Sequence, residues 1–295
     1  MKQQQKYPAI ALRALLLAAT LLVAACGGKE RRAIDPDTIY VTIAPLKGLT
    51  ERIVGDDFPI EVLVPAGASP ETFEPTPRQL IAVNESRWLF AVGLIDFEQA
   101  LLQRIERQEK ILPLHNGIEL IEGSCAHHHA HHAHHAHGID PHIWTSPRAL
   151  QQMAANLYEA IRTAYPDSVR YATNYAALQA DLQRLDADVT TALSTADVRE
   201  FVVYHPALTY YARDYGLHQR AIEQEGKEPS ARHLAELIAS ARAQGIRTIL
   251  YQRQFPRSSV EAIAADMEAE AVEFDPLAED ICTEIRRITQ KITQR

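Results

Sequence analysis

The sequence predicts an α/β protein of two domains, each built on a mostly parallel sheet. Two observations predict it. Short runs rich in β-branched and aromatic residues alternate with helical stretches in both halves of the 295-residue chain. Between the halves lies one long helical segment with a narrow apolar stripe. The chain shows no convincing internal repeat and no glycine-rich phosphate loop.

The elements follow in order. Lys2, Lys6 and Arg13 precede an apolar run, Ala14 to Ala25, that is too short to span a bilayer comfortably. The run ends in Leu22-Val23-Ala24-Ala25-Cys26, which resembles a bacterial lipobox. Residues 1–25 therefore read as a lipoprotein signal peptide, and residues 26–37 as a lipidated N-terminus with a polar tether. An ordinary cleaved signal with an incidental Cys26 is the plainer alternative. One acyl chain binds a membrane only marginally, so anchoring needs several. No later run is long enough to cross a membrane, so the body reads as soluble. Removing Lys2, Lys6 and Arg13 takes the formal charge from −8 to −11. An acidic body disfavours nucleic acid and anionic membrane surfaces and suits a cationic solute.

Residues 38–166 read as the first domain. Ile39 to Ile43, Ile60 to Val64, Trp88 to Val92 and Lys110 to Leu114 are its strands, and Phe97 to Glu109 a helix with Leu101, Leu102 and Ile105 on one side. Ser146-Pro147 opens a helix that runs to about Tyr165, because a capping hydroxyl precedes proline at the first position. Residues 167–195 read as a linking helix. Tyr171, Tyr175, Leu178, Leu182, Leu185 and Val189 repeat at spacings of 4, 3, 4, 3, 4, which places them on one face. Such a helix is roughly 40 Å long, enough to connect two domains. Residues 196–295 read as the second domain. Its strands are Phe201 to Tyr204, Ile246 to Tyr251 and Ala271 to Phe274. Its helices are one capped by Ser230 and stopped by Gly245, then Ser258 to Glu268 and Ala278 to Thr293.

The segment before His142 is unusual. His127, His128, His129, His131, His132, His134, His135 and His137 are separated only by alanines. Neutral imidazole binds zinc, copper and nickel. The tract, residues 126–138, has no apolar pattern and cannot build a core. It either concentrates metal for another site, senses excess, or is a dispensable loop. Cys125 adjoins it and could add a soft ligand. Cys282, beside Ile281 and Ile285, reads as a small core residue, and a disulfide between the two stays open.

In open α/β sheets, ligands bind beyond the carboxyl ends of strands. Metal-ligating residues there form a short set. His205 follows one strand and Asp275 another, Glu71 lies in the loop after Ile60 to Val64, and His142 lies just before the helix capped by Ser146. Each has an ordinary alternative. A histidine after a strand is commonly a satisfied core or surface residue, and an aspartate before proline is commonly a turn residue.

Four segments shift that balance. Pro65-Ala66-Gly67-Ala68-Ser69-Pro70-Glu71-Thr72-Phe73-Glu74-Pro75-Thr76-Pro77, Asp140-Pro141-His142-Ile143-Trp144, Tyr204-His205-Pro206-Ala207 and Phe274-Asp275-Pro276-Leu277 occur in this order. They resemble the signatures of the cluster A-I substrate-binding proteins, the zinc and manganese receptors of bacterial ABC importers. Glu228-Pro229-Ser230 and Gln252 to Phe255 are similar to further family segments. The resemblance covers about Ile39 to Ile292. It implies two α/β lobes joined by one rigid helix, with a metal site between the lobes held by Glu71, His142, His205 and Asp275. A histidine-rich loop before His142 is similar to the zinc branch of the family.

The chain departs from the family at Glu71, where histidine is usual. A carboxylate suits zinc, at about 2.0–2.2 Å, but also suits manganese. His205 stands where manganese-type members usually carry glutamate, and with the tract it favours Zn2+ over Mn2+. The resemblance implies a monomeric extracytoplasmic receptor, held to a membrane through lipidated Cys26, that passes Zn2+ to an ABC permease. The alternatives are a manganese receptor of the same type and a surface metal buffer or adhesin. A zinc hydrolase is disfavoured, because there is no His-Glu-x-x-His motif and no evident general base beside a ligand, so no enzymatic activity is expected.

Overall fold

β1 (Ile39–Val41), β2 (Ile60–Val62), β3 (Trp88–Ala91) and β4 (Ile111–Pro113) pair in parallel in the order β2-β1-β3-β4. The second half repeats this with β5 (Glu200–Val203), β6 (His218–Ala221), β7 (Thr248–Gln252) and β8 (Glu270–Phe274), in the order β6-β5-β7-β8. The computed structural model describes residues 35–122, 138–223, 229–255 and 257–294. The signal segment, Cys26, Cys125 and the histidines from His127 to His137 lie outside those residues.

The inner strands are apolar almost throughout because parallel sheets are covered on both faces. Leu89, Phe90 and Ala91 are buried on β3, as are Ile249, Leu250 and Tyr251 on β7. The covering helices are α1 (Ala44–Val54), α2 (Pro77–Glu85), α3 (Asp96–Leu102) and α4 (Pro147–Ala164) in the first half, and α6 (Thr209–Asp214), α7 (Ala231–Ala243), α8 (Arg257–Met267) and α9 (Ile281–Thr293) in the second.

Between them runs α5 (Val169–Ala196), 28 residues long, or about 42 Å. The Ser168 side chain accepts the Tyr171 N–H at its start, and Asp197 ends it in the left-handed region at φ 50°. The apolar stripe is buried at Leu178, Leu182, Leu185, Val189 and Leu193, while Tyr175 is half-buried and stacks on Tyr158. This stripe packs against α1 and α4 at one end and α9 at the other. One apolar core therefore runs through both lobes, and a smaller cluster under α7 and α8 completes the second.

One expectation changes, and one strand lies where none was expected. The helix expected from Phe97 to Glu109 stops at Leu102. Beyond it, Gln108 Nε2 donates to the carbonyls of Leu102 and Ile105, and Asn84 Oδ1 accepts the Glu106 N–H. Side chains thus take over bonds that the next helical turn would have made. The edge strand β6 carries the polar run His218-Gln219-Arg220, which has none of the apolar pattern of a covered strand.

Lys110 shows how the first lobe is fastened. Its buried ammonium donates to the carbonyls of Val83, Asn84 and Ser86, at the C-terminus of α2. A cation there meets the negative end of the helix. Burial, then the nearby Arg107 charge, lowers the Lys110 pKa to about 8.

Candidate metal centre

Glu71 is placed by a loop secured at both ends. The Thr76 side chain and Gln79 cap the start of α2 reciprocally, and Gln79 Nε2 donates to the carbonyl of Leu63 at 2.9 Å. Between these ties the chain turns at Gly67, φ 83°, and the Glu71 N–H reaches Ser69 Oγ. Phe73 packs edge-on against Phe97, with ring centroids 5.0 Å apart.

His142 opens a single 3-10 turn, Ile143–Thr145. Asp140 lies two residues earlier, and its Oδ1 accepts both the His142 backbone N–H at 2.9 Å and the His142 Nδ1–H at 2.8 Å. An ionised carboxylate only accepts, so the proton sits on Nδ1 and the Nε2 lone pair is free for a ligand. Burial pushes the Asp140 pKa up, but the attraction to His142 and its hydrogen bonds outweigh it and hold Asp140 below the ordinary carboxylate value. Glu122 and Ile139 form an antiparallel bridge, so the chain leaves for the histidine tract and returns from it at one point beside Asp140.

His205 follows β5 directly. Its Nδ1 lies 3.0 Å from Glu223 Oε2, a residue just beyond β6. The Phe255 ring lies nearly parallel to it at 6.0 Å. Burial would lower the His205 pKa, but the Glu223 hydrogen bond and then Glu71 raise it to about 9.

The three side chains converge. One ligand atom from each of Glu71, His142 and His205 lies within 4.8 Å of the others. Glu71 Oε1 is 2.6 Å from His205 Nε2 and 3.8 Å from His142 Nε2. The buried His205 Nε2 faces Glu71 Oε1 across the cavity, and a shared proton or a bound cation is what lets two such atoms sit this close. Both imidazoles are thus backed by a carboxylate, an arrangement that fixes ring orientation and strengthens the nitrogen as a metal ligand. Glu71, Asp140 and Glu223 give the neutral-imidazole site a formal charge of −3, which a dication reduces to −1. The cavity between them holds about 40 Å³ and is walled by Pro70, Trp144, Ala207, Phe255 and Leu277 among others. It has room for one ion and little else.

Asp275 stands apart from this group. Its Oδ1 accepts the Leu277 N–H at 2.9 Å and its own N–H donates to Glu284 Oε1 at 2.7 Å, so it serves a turn. Sequence reasoning missed Glu223. Its signal was weak, a single acid beyond a strand too polar to be recognised.

Hydrogen bonds tie the lobes together around the cavity. Trp144 Nε1 donates to the carbonyl of Pro276 at 2.7 Å, Thr145 Oγ1 to that of Ala207 at 2.9 Å, and the Tyr210 hydroxyl to that of Asp140 at 2.7 Å. Further out, Lys47 on α1 pairs with Glu279 at 2.8 Å. Beside it, a Cβ on Gly48 would collide with the Glu279 carbonyl.

Residues 39–290 match the family described as zinc-uptake complex component A, periplasmic. The high-affinity zinc uptake system protein ZnuA of Bacillus subtilis (strain 168) is 30% identical over 271 residues, covering 86% of this chain and 84% of that protein. The zinc-binding lipoprotein AdcA of Streptococcus pneumoniae serotype 4 is 29% identical over 282 residues, covering 89% of this chain but 54% of AdcA. This chain therefore spans about half the length of that relative. A solved zinc-bound ZnuA deletion mutant aligns with a TM-score of 0.77 at 35% identity, covering 88% of this chain and 97% of its own.

Proposed function

The chain belongs to the periplasmic zinc-uptake component A family, and we propose that it captures Zn2+ outside the cytoplasmic membrane and delivers it to an ABC permease. The family consists of solute-binding receptors, so no bond is made or broken. One observation carries the reading to this chain: Glu71, His142 and His205 present ligand atoms within 4.8 Å of one another, with each histidine backed by a carboxylate.

We place the ion between Glu71 Oε1 and the Nε2 atoms of the two histidines. The carboxylate neutralises charge, and the imidazoles discriminate against calcium and magnesium, which prefer oxygen. Capture is a matter of coordination inside a small cavity. Release requires the loops or lobes to shift at the permease. The reading includes attachment through lipidated Cys26, a monomeric receptor, and a histidine tract that concentrates zinc beside the cavity. The described residues contain no helix long and apolar enough to cross a membrane.

The test is a zinc competition titration. One submicromolar site, equivalent to at least about 8 kcal/mol, that disappears in a His142→Ala/His205→Ala variant supports the reading. Many weak ions that survive the double substitution overturn it. Running Mn2+ in parallel gives the selectivity that Glu71 leaves chemically closest. A Cys26→Ser variant that stays with the membrane fraction would rule out the lipid anchor.

A further inference from the structure

Besides His205, whose Nε2 faces Glu71, a second polar side chain in the wall of the cavity has a buried atom without a hydrogen bond. Gln252 ends β7, is only 3% exposed, and borders the same space as Glu71, His142 and His205. Its Nε2 donates to the carbonyl of His205 at 3.2 Å. That bond settles which end of the amide is oxygen, because the flipped amide would press one oxygen against another. The buried Oε1 is left with no hydrogen bond. Folded proteins rarely bury such an acceptor unless an ion, a water or a ligand meets it.

The other expected oxygen is engaged elsewhere. The Asp275 carboxylate accepts the Leu277 N–H. The Asp275 N–H is held by Glu284, and the following carbonyl, that of Pro276, by Trp144. Further along, the same segment is pressed against Gly48 and pinned by Lys47 through Glu279. These backbone ties hold the segment in place, and the Asp275 carboxylate does not join the ligand atoms that Glu71, His142 and His205 bring together.

Topology and charge favour Gln252 as well. The chain reverses direction of progress across the second sheet between β5 and β7, and α/β sheets bind ligands at that switch point. His205 leaves one of these strands and Gln252 ends the other. Glu71, Asp140 and Glu223 already leave a formal −1 around a dication. A neutral oxygen completes the shell without adding a fourth anion.

We propose that Gln252 Oε1, rather than the Asp275 carboxylate, completes the coordination of the captured ion beside Glu71, His142 and His205. The proposal rests on the receptor reading above. Gln252 and Glu71 then make half of the ligand atoms hard oxygen, so the pair sets the ratio of zinc to manganese affinity.

Competition titration of the tight site in the full chain, with Zn2+ and Mn2+ separately, tests this. Gln252→Ala is expected to weaken Zn2+ binding by about tenfold or more, as loss of a supporting group commonly does, while Asp275→Ala changes it less than about threefold. Gln252→Glu keeps an oxygen but loses the N–H to His205. Retained Zn2+ affinity in Gln252→Glu, with Mn2+ gaining relative to Zn2+, supports the proposal. Equal losses in Gln252→Ala and Gln252→Glu would mean that only the hydrogen bond matters, and would overturn it. An Asp275→Ala loss matching or exceeding that of Gln252→Ala overturns it too. Thermal unfolding of each variant separates misfolding from lost coordination, and the Gln252→Glu and Asp275→Ala comparisons decide even if Gln252→Ala fails to fold. A wild-type chain without a tight site, or one indifferent to His142→Ala, overturns the receptor reading itself, a result none of the other outcomes would give.

Discussion

His142 and His205 present the same atom to the same cavity, but they are held there in different ways. The partner of His142 is two residues away. Asp140 bonds both the ring and the backbone of His142, is fully buried, and has its own carbonyl fastened by Tyr210 from the other lobe. The partner of His205 is eighteen residues away, beyond β6, and makes one bond to the ring. The first histidine is oriented by a local turn that forms wherever its short motif folds. The second is oriented only when the edge of the second sheet is complete. A binding site can therefore have one ligand built by local sequence and another built by tertiary assembly, with the same chemistry at the ion.

The comparison can be broken outright by removing either ring. His142→Ala and His205→Ala should each weaken zinc binding by more than the ~100-fold that bounds the loss of a supporting partner, measured by chelator competition. A smaller loss for one would mean that its ring is not a ligand. The next largest effect separates the two settings. Asp140→Asn should cost nearer ~100-fold and Glu223→Gln nearer ~10-fold, since Asp140 secures the ring twice and Glu223 once. Equal losses, or a larger loss at Glu223, would show that local construction confers no advantage.

A milder probe is Tyr210→Phe. It removes the hydroxyl that donates to the Asp140 carbonyl and accepts the Ile121 N–H. Stability should fall by about 1–2 kcal/mol in urea titrations, with only a few-fold loss of zinc affinity. Affinity unchanged within error would detach the Asp140 turn from the second lobe.

The smallest effect on binding is expected at Lys110, far from either ring. Lys110→Met strands three carbonyls and should reduce stability by about 2 kcal/mol without altering zinc affinity. It also carries a pH signature. The folded pKa of about 8 lies below the ordinary 10.5, so between these values the folded chain holds fewer protons than the unfolded one. Wild-type stability should then rise relative to Lys110→Met as pH climbs from about 8 towards 10.5, and the difference should level off below pH 8. A flat difference across that window would mean that the ammonium is not perturbed.

Much of the fold was legible because its signals are local. The stripe from Tyr171 to Val189 predicts α5 by spacing alone, Ser146-Pro147 marks the start of α4, and the apolar runs mark every inner strand. Where side chains decide, the reading failed. The helix from Phe97 stops at Leu102 because Gln108 and Asn84 supply bonds from outside it, and β6 escaped notice because an edge strand need not be apolar. The site divides along the same line. Glu71, His142 and His205 are readable as candidates from their motifs, and Glu71 and His205 also from their places after strands. Glu223 is not, since only the pairing of β5 with β6 brings it to the ring. Asp275 sits in a motif that serves a ligand and a turn equally well, and only the folded chain shows Oδ1 accepting the Leu277 N–H.

The bonds that Trp144, Thr145 and Tyr210 make across the lobes also bear on how affinity is realised. A receptor that is open before capture loses apparent affinity in proportion to how seldom it visits the competent shape. Here the contacts that hold the lobes together, Trp144 to Pro276, Thr145 to Ala207 and Tyr210 to Asp140, are made by the chain itself, so they lower that cost independently of the ligand atoms. The same bonds resist separation of the lobes when the ion leaves, so a substitution that removes one of them weakens retention as well as capture.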